Sequence, residues 1–214
     1  MTPAEQSRLA ATICQLAPVV PVLVIDDAAN AADLARALIA GGLPALEVTL
    51  RTPNALDAIR AMAEVPGGIV GAGTLLTPSD VKAASRAGAK FGVSPGATDR
   101  LIAACEDEGL PLLPGAATAT EVMNLLEKGY TVQKFFPAES VGGAAALKAI
   151  GAPIPQVRFC PTGGINLGNV GGYLGLKNVI CVGGSWVAPA EAVGKGDWAA
   201  ITALAAAAAA LTGG

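Results

Sequence analysis

Histidine is absent from all 214 residues. That removes the commonest general base near neutral pH and the usual ligand of a catalytic zinc. Any chemistry must run on lysine, carboxylates and hydroxyls, and neither metal nor cofactor is expected. Cysteine is scarce: Cys14, Cys105, Cys160 and Cys181 stand far apart with no CxxC pair. The thiols therefore read as small buried hydrophobes of a reducing, cytoplasmic compartment. Charged residues make up only 14% and the net charge is −3. Without a basic excess, neither nucleic acid nor an anionic membrane is expected as a partner. No apolar run reaches the roughly 20 residues of a membrane span. The opening MTPAEQSRLAATICQLAP has an acid at Glu5 and a helical rhythm. A secretory leader would carry a basic start and an apolar stretch, so none is expected.

What the chain has is apolar bulk. At 52% hydrophobic over 214 residues, it can bury one large core but is short for two, and no linker interrupts it. Residues 1–214 read as a single domain. Short β-rich runs alternate with longer Ala/Leu-rich ones. Strands are expected at 21–25, 45–50, 68–71, 91–94, 111–113, 131–136, 156–160 and 178–182. Helices are expected at 28–40, 54–63, 78–87, 99–108, 119–128 and 140–150, with an initial helix at 3–16 and a final one at 198–211. Thr77-Pro78 and Thr98 mark helix starts; Gly41-Gly42, Gly88, Gly109 and Gly129 mark helix ends. The alternation predicts an α/β fold, a (β/α)8 TIM barrel with an additional N-terminal helix. A doubly wound open sheet is the alternative.

Six strand ends run into glycine, hydroxyl or proline: GAGT (71–74), SPG (94–96), LPG (113–115), FFP (135–137), PTGG (161–164) and VGGS (182–185). Each alone is a tight turn. Together they suggest an anion site at the carboxyl ends of the strands, where backbone amides converge.

Six of the seven lysines fall on expected helices or turns; Lys134 lies within the apolar strand VQKFFP. A lysine there is costly unless paired or functional. An amine taken out of water tends to its neutral form, the nucleophile that makes an imine with a ketone. The competing reading is an edge-strand lysine, but a barrel has no edge. Alternation places Glu47, Thr49 and Arg51 on one face of the second strand. There Arg51 could grip a carboxylate and Glu47 could shuttle protons; a structural Glu47–Arg51 ion pair is the alternative. Thr74, Thr162 and Ser185 are hydroxyls at three further strand ends and could equally be helix caps. Phe136 shares the face of Lys134 and either walls a pocket or packs in the core.

LEVTLRT (46–52), GAGTLL (71–76), SPG, LPG, KFFPAE (134–139), RFCPTGG (158–164) and CVGGSW (181–186) resemble segments of the 2-keto-3-deoxy-6-phosphogluconate (KDPG) aldolases. Some of these also cleave 4-hydroxy-2-oxoglutarate (KHG). The resemblance implies a cofactor-free class I aldolase in which Lys134 forms the imine and Glu47 is the general acid/base. It implies Arg51, Thr74 and Thr162 around the pyruvate moiety, and Gly163, Gly164, Gly184 and Ser185 in the phosphate loops. It also implies a homotrimer whose partners are a phosphorylated 2-keto-3-deoxy sugar acid and pyruvate. Activity on the galactonate-derived epimer is a close alternative. A non-catalytic sugar-phosphate-binding barrel is a distant one, disfavoured by intact Lys134, Glu47 and Arg51.

Overall fold

A computed structural model describes residues 1–212. Nine short strands occur among them: β1 (Val19–Leu23), β2 (Ala45–Thr49), β3 (Ile69–Gly73), β4 (Phe91–Val93), β5 (Leu112–Leu113), β6 (Gly115–Ala116), β7 (Val132–Phe135), β8 (Arg158–Pro161) and β9 (Val182–Gly184). Six form a curled parallel sheet in the order β5-β4-β3-β2-β1-β9, and three form a second parallel sheet, β6-β7-β8. The expected fifth strand is thus two. Proline has no N–H for a ladder, and Pro114 separates β5 from β6 while its carbonyl accepts from the Lys134 amide at 2.8 Å. The last strand begins later than expected. Val179 makes only a single bridge with Phe159, and Thr162 bridges Gly183.

The helices are α1 (Pro3–Cys14), α2 (Ala31–Ala40), α3 (Ala55–Ala63), α4 (Pro78–Arg86), α5 (Asp99–Glu108), α6 (Ala119–Lys128), α7 (Gly143–Gly151), α8 (Val170–Leu174), α9 (Ala190–Lys195) and α10 (Trp198–Ala209). Thr77, Thr98 and Thr118 each accept the amide of the third helical residue, as their positions before a helical run predict. Gly109 and Gly129 end α5 and α6 in the left-handed conformation. The helix expected at 140–150 is broken by Gly142, with φ 107°, into a 3-10 turn (Glu139–Val141) and α7. Helices α8 and α9 were not expected: α8 contains Gly171-Gly172, poor helix formers, and α9 has only six residues.

Burial divides into two apolar sets. The larger lies between strands and helices and includes Leu46, Val48, Phe135, Phe159 and Val182. The smaller gathers alternate residues from the opposite strand faces: Val20, Ala45, Phe91, Val93, Leu113, Val132, Cys160 and Cys181, with Cys14 of α1. Helix α1 is stitched across the amino ends of the strands. Ser7 Oγ accepts the amides of Thr131 and Val132 at 2.9 and 3.0 Å. Gln6 Oε1 accepts from the Leu112 amide and the Tyr130 hydroxyl at 3.1 and 3.0 Å.

Candidate active site

Lys134 and Glu47 rise from this inner face, on β7 and β2. Lys134 Nζ donates to Glu47 Oε1 at 3.2 Å, with Lys134 5% and Glu47 3% exposed. Such a pair loses hydration on both sides, so its presence is weak support for stability and better support for function. Burial pushes the Glu47 carboxyl above its ordinary range, and the Lys134 charge pulls it partly back. A side chain on Gly73 of β3 would collide with the Glu47 carboxylate. Glycine there makes the room that Glu47 needs.

Phe136 follows two residues after Lys134, and its ring centroid lies 5.3 Å from Lys134 Nζ. It faces the amine as expected. Thr162, 6% exposed, sits at the end of β8, its hydroxyl 3.5 Å from the Cys160 carbonyl oxygen. Gly183 leaves space for it, since a Cβ there would meet the threonine side chain.

Arg51 departs from the alternation argument. β2 ends at Thr49, and Arg51 lies in the following turn, exposed and without an ion pair among the described residues. Glu47 is partnered by Lys134, so the structural Glu47–Arg51 pair is not formed. Thr49 does face inward with Glu47, but its hydroxyl is committed to the Leu23 carbonyl at 3.0 Å. The Thr52 hydroxyl and Asn54 amide donate likewise to the carbonyls of Ile25 and Asp26. These three bonds tie the turn carrying Arg51 to the end of β1, and neither Thr52 nor Asn54 shows that task in the sequence. Thr74 ends β3 at φ 62°, a conformation costly for a β-branched residue and maintained only where the surroundings demand it. Because Thr49 pairs with Gly73, Arg51 and Thr74 leave neighbouring strands at the same end.

Gly163 and Gly164, with φ 104° and 78°, form the turn after β8. The Thr162 and Gly163 carbonyls accept the amides of Ala138 and Glu139 at 2.8 and 3.1 Å. The Gly164 carbonyl accepts from the side chains of Asn166 and Asn169. The amides of Gly164 and Ile165 donate to no acceptor among the described residues, while the bridge from Thr162 to Gly183 turns the Gly163 amide towards the Gly183 carbonyl. Successive free amides of this kind bind anions. Ser185 is exposed just beyond β9, at a cavity of about 600 Å³ lined also by Val24, Asp26, Asn30 and Trp186. Gly184 packs under the Trp186 ring, where a Cβ would collide. All four cysteines are buried and free, and no cluster of three or more potential metal ligands occurs among the described residues.

Comparison with known proteins places the chain in a family. The family model described as KDPG and KHG aldolase matches residues 10–204. The KHG/KDPG aldolase of Escherichia coli K12 is 51% identical over 197 residues, covering 92% of each chain. A crystal structure of the Zymomonas mobilis 2-keto-3-deoxy-6-phosphogluconate aldolase with 3-phosphoglycerate matches at TM-score 0.92 and 51% identity, over 97% of this chain and 98% of that one. The KDPG aldolase of Legionella pneumophila, with pyruvate captured at low pH as a covalent carbinolamine intermediate, matches at TM-score 0.90 and 46% identity, over 94% and 98%. The chain belongs to the KDPG and KHG aldolase family.

Proposed function

We propose that this chain is a class I aldolase that cleaves KDPG to pyruvate and glyceraldehyde 3-phosphate, and KHG to pyruvate and glyoxylate. The observation that carries the reading is the buried contact of 3.2 Å between Lys134 Nζ and Glu47 Oε1. It puts a nucleophilic amine and a proton carrier at one point in an apolar interior. The carbinolamine captured in the Legionella relative supports the same chemistry here.

In this mechanism the Lys134 amine attacks the C2 ketone, and Glu47 carries protons as the carbinolamine forms and loses water. The resulting iminium withdraws electrons. Glu47 takes the proton of the C4 hydroxyl, the C3–C4 bond breaks and the aldehyde departs. The electron pair remains as an enamine, which takes the Glu47 proton at C3; water then hydrolyses the imine to pyruvate and restores the amine. Arg51, Thr74 and Thr162 hold the pyruvate carboxylate and oxygens, and Phe136 walls the pocket. The phosphate lies on the Gly163-Gly164 turn, with Gly184 and Ser185 completing the cradle.

The two sheets belong to one closed (β/α)8 barrel in a single domain. The continuity of β5 and β6 through Pro114 and the bridges from β8 to Val179 and Gly183 support it. A homotrimer is supported by exposed Val24, Leu76, Val141 and Leu167 in the loops after the strands, which a neighbouring copy would cover. Free buried thiols favour a reducing cytoplasm, and no helix of the described residues is long and apolar enough to cross a membrane. Cleavage rates on KDPG, its galactonate-derived epimer and KHG test the substrate assignment. A faster rate on the epimer than on KDPG would overturn it.

A further inference from the structure

The KFFPAE segment ends in Glu139, an acid with no part in the mechanism above. We infer that Glu139 and Tyr173 are positioning residues that keep the Gly163-Gly164 turn open to phosphate, and so set the preference for phosphorylated over non-phosphorylated 2-oxo acids. The inference rests on the phosphate reading just proposed.

Tyr173 of α8 is 1% exposed, and its hydroxyl donates to Glu139 Oε1. The rest of Glu139 is built into the turn. Its amide donates to the Gly163 carbonyl at 3.1 Å, and its Cβ and Cγ lie 2.7 Å from where a Gly164 Cβ would stand. Gly143, at φ 65°, leaves space beside the carboxylate: a Cβ there would stand 3.2 Å from Glu139 Oε1 and 3.4 Å from the Tyr173 hydroxyl. The stem of this acid therefore packs on the Gly163-Gly164 turn, where the Gly164 amide has no acceptor among the described residues. An acid so close to an anion site is a competitor for it, because it can accept the same N–H groups that the phosphate needs. The Tyr173 hydroxyl satisfies that acid and fixes its direction. Freed from Tyr173, the Glu139 side chain can swing onto the turn, where it both repels phosphate and occupies its donors.

Steady-state kinetics on KDPG and KHG test this with Tyr173→Phe and the double variant Tyr173→Phe/Glu139→Gln. Tyr173→Phe should raise KM for KDPG at least about ten-fold, as expected for losing one hydrogen bond to a charged group. Its kcat, and KM for KHG, should stay within about two-fold. The double variant should recover most of the KDPG affinity, because a neutral amide neither repels phosphate nor competes strongly for N–H donors. A merely structural tyrosine would show no such recovery. If Tyr173→Phe does not fold by circular dichroism, Glu139→Asp serves instead: its shorter acid loses Tyr173 and should give the same selective rise. Equal losses on both substrates, no loss on KDPG, or no rescue by the neutral amide would overturn the inference. Ser185→Asp separates the two levels. If it discriminates between the substrates and Tyr173→Phe does not, only this inference falls. If it does not discriminate, the phosphate reading falls and takes the inference with it.

Discussion

Lys134 and Glu47 are 87 residues apart in the chain, yet the Lys134 amine and the Glu47 carboxylate meet at 3.2 Å inside the smaller of the two apolar sets. The strands that carry them belong to different sheets. The contact is therefore a product of the whole fold, and its consequences can be measured.

Borohydride reduction in the presence of pyruvate should add one pyruvate-derived mass, and peptide mapping should place it on Lys134. Lys134→Ala should abolish cleavage and trapping while the circular dichroism spectrum persists. An adduct on Lys148 or any other lysine would falsify the imine assignment.

Stability should depend on pH once the pair is broken. Burial raises the Glu47 carboxyl, and Lys134 is the largest influence opposing it; Lys134→Met removes that opposition. The folded state then holds the Glu47 proton more tightly than the unfolded chain does. Stability is accordingly highest below the ordinary glutamate value of 4.5 and falls as pH rises from there through the raised folded value. Breaking one side of a buried pair costs about 3–5 kcal/mol when the remaining charge stays ionised. The loss of Tm relative to the native chain should thus be larger at pH 8 than at pH 5. Equal losses at the two pH values would show that Glu47 is not the group left unpaired.

Gly73→Ala should leave the strands intact but displace the Glu47 carboxylate, which occupies the space a Cβ would need. Misplacement of a catalytic group on the order of 1 Å can cost about 100-fold in rate. Both kcat and the rate of borohydride trapping should fall together, because Glu47 is proposed to serve carbinolamine formation. Undiminished trapping would remove Glu47 from that step.

Ser185→Asp adds an acid where the phosphate is proposed to lie. Like charges forced together cost on the order of a few kcal/mol, so kcat/KM for KDPG should fall at least about ten-fold. KHG cleavage and pyruvate trapping should change much less. Comparable losses in all three assays would assign this loop to the fold or to the whole site, and not to the phosphate.

The buried pair behind the proposed chemistry was legible because it violates local expectation. Lys134 interrupts an apolar strand, and that conflict between charge and burial points to the amine before any coordinates are known. Alternation likewise put Glu47 inward. It could not say where β2 stops, so Arg51 was given a strand position when it lies in a turn held by Thr52 and Asn54. Those bonds join segments 27 and 28 residues apart, and no local periodicity encodes them. The left-handed Thr74 was equally hidden, since threonine is a residue that composition would never place at positive φ. Helices α8 and α9 escaped because five and six residues are too few for a helical rhythm to register. Glu139 stood in a quoted motif with no assigned task; only its contact with Tyr173 gives it one.

Helix α1 has a kinetic consequence. Its Gln6 and Ser7 side chains bind strand amides at the amino end. Ala10, Ile13 and Cys14 close the interior beneath Glu47 around a void of only about 10 Å³. Among the described residues this closes the α1 end, and on the proposed mechanism substrate reaches the amine through one doorway, at the opposite end. On the proposed mechanism, traffic through one doorway forms a queue. The aldehyde fragment stands between the enamine and bulk water, so it leaves first, and the water that hydrolyses the imine follows it in. Pyruvate, bonded deepest, leaves last. Run in the synthetic direction, the same queue makes pyruvate the obligatory first reactant and the aldehyde the second.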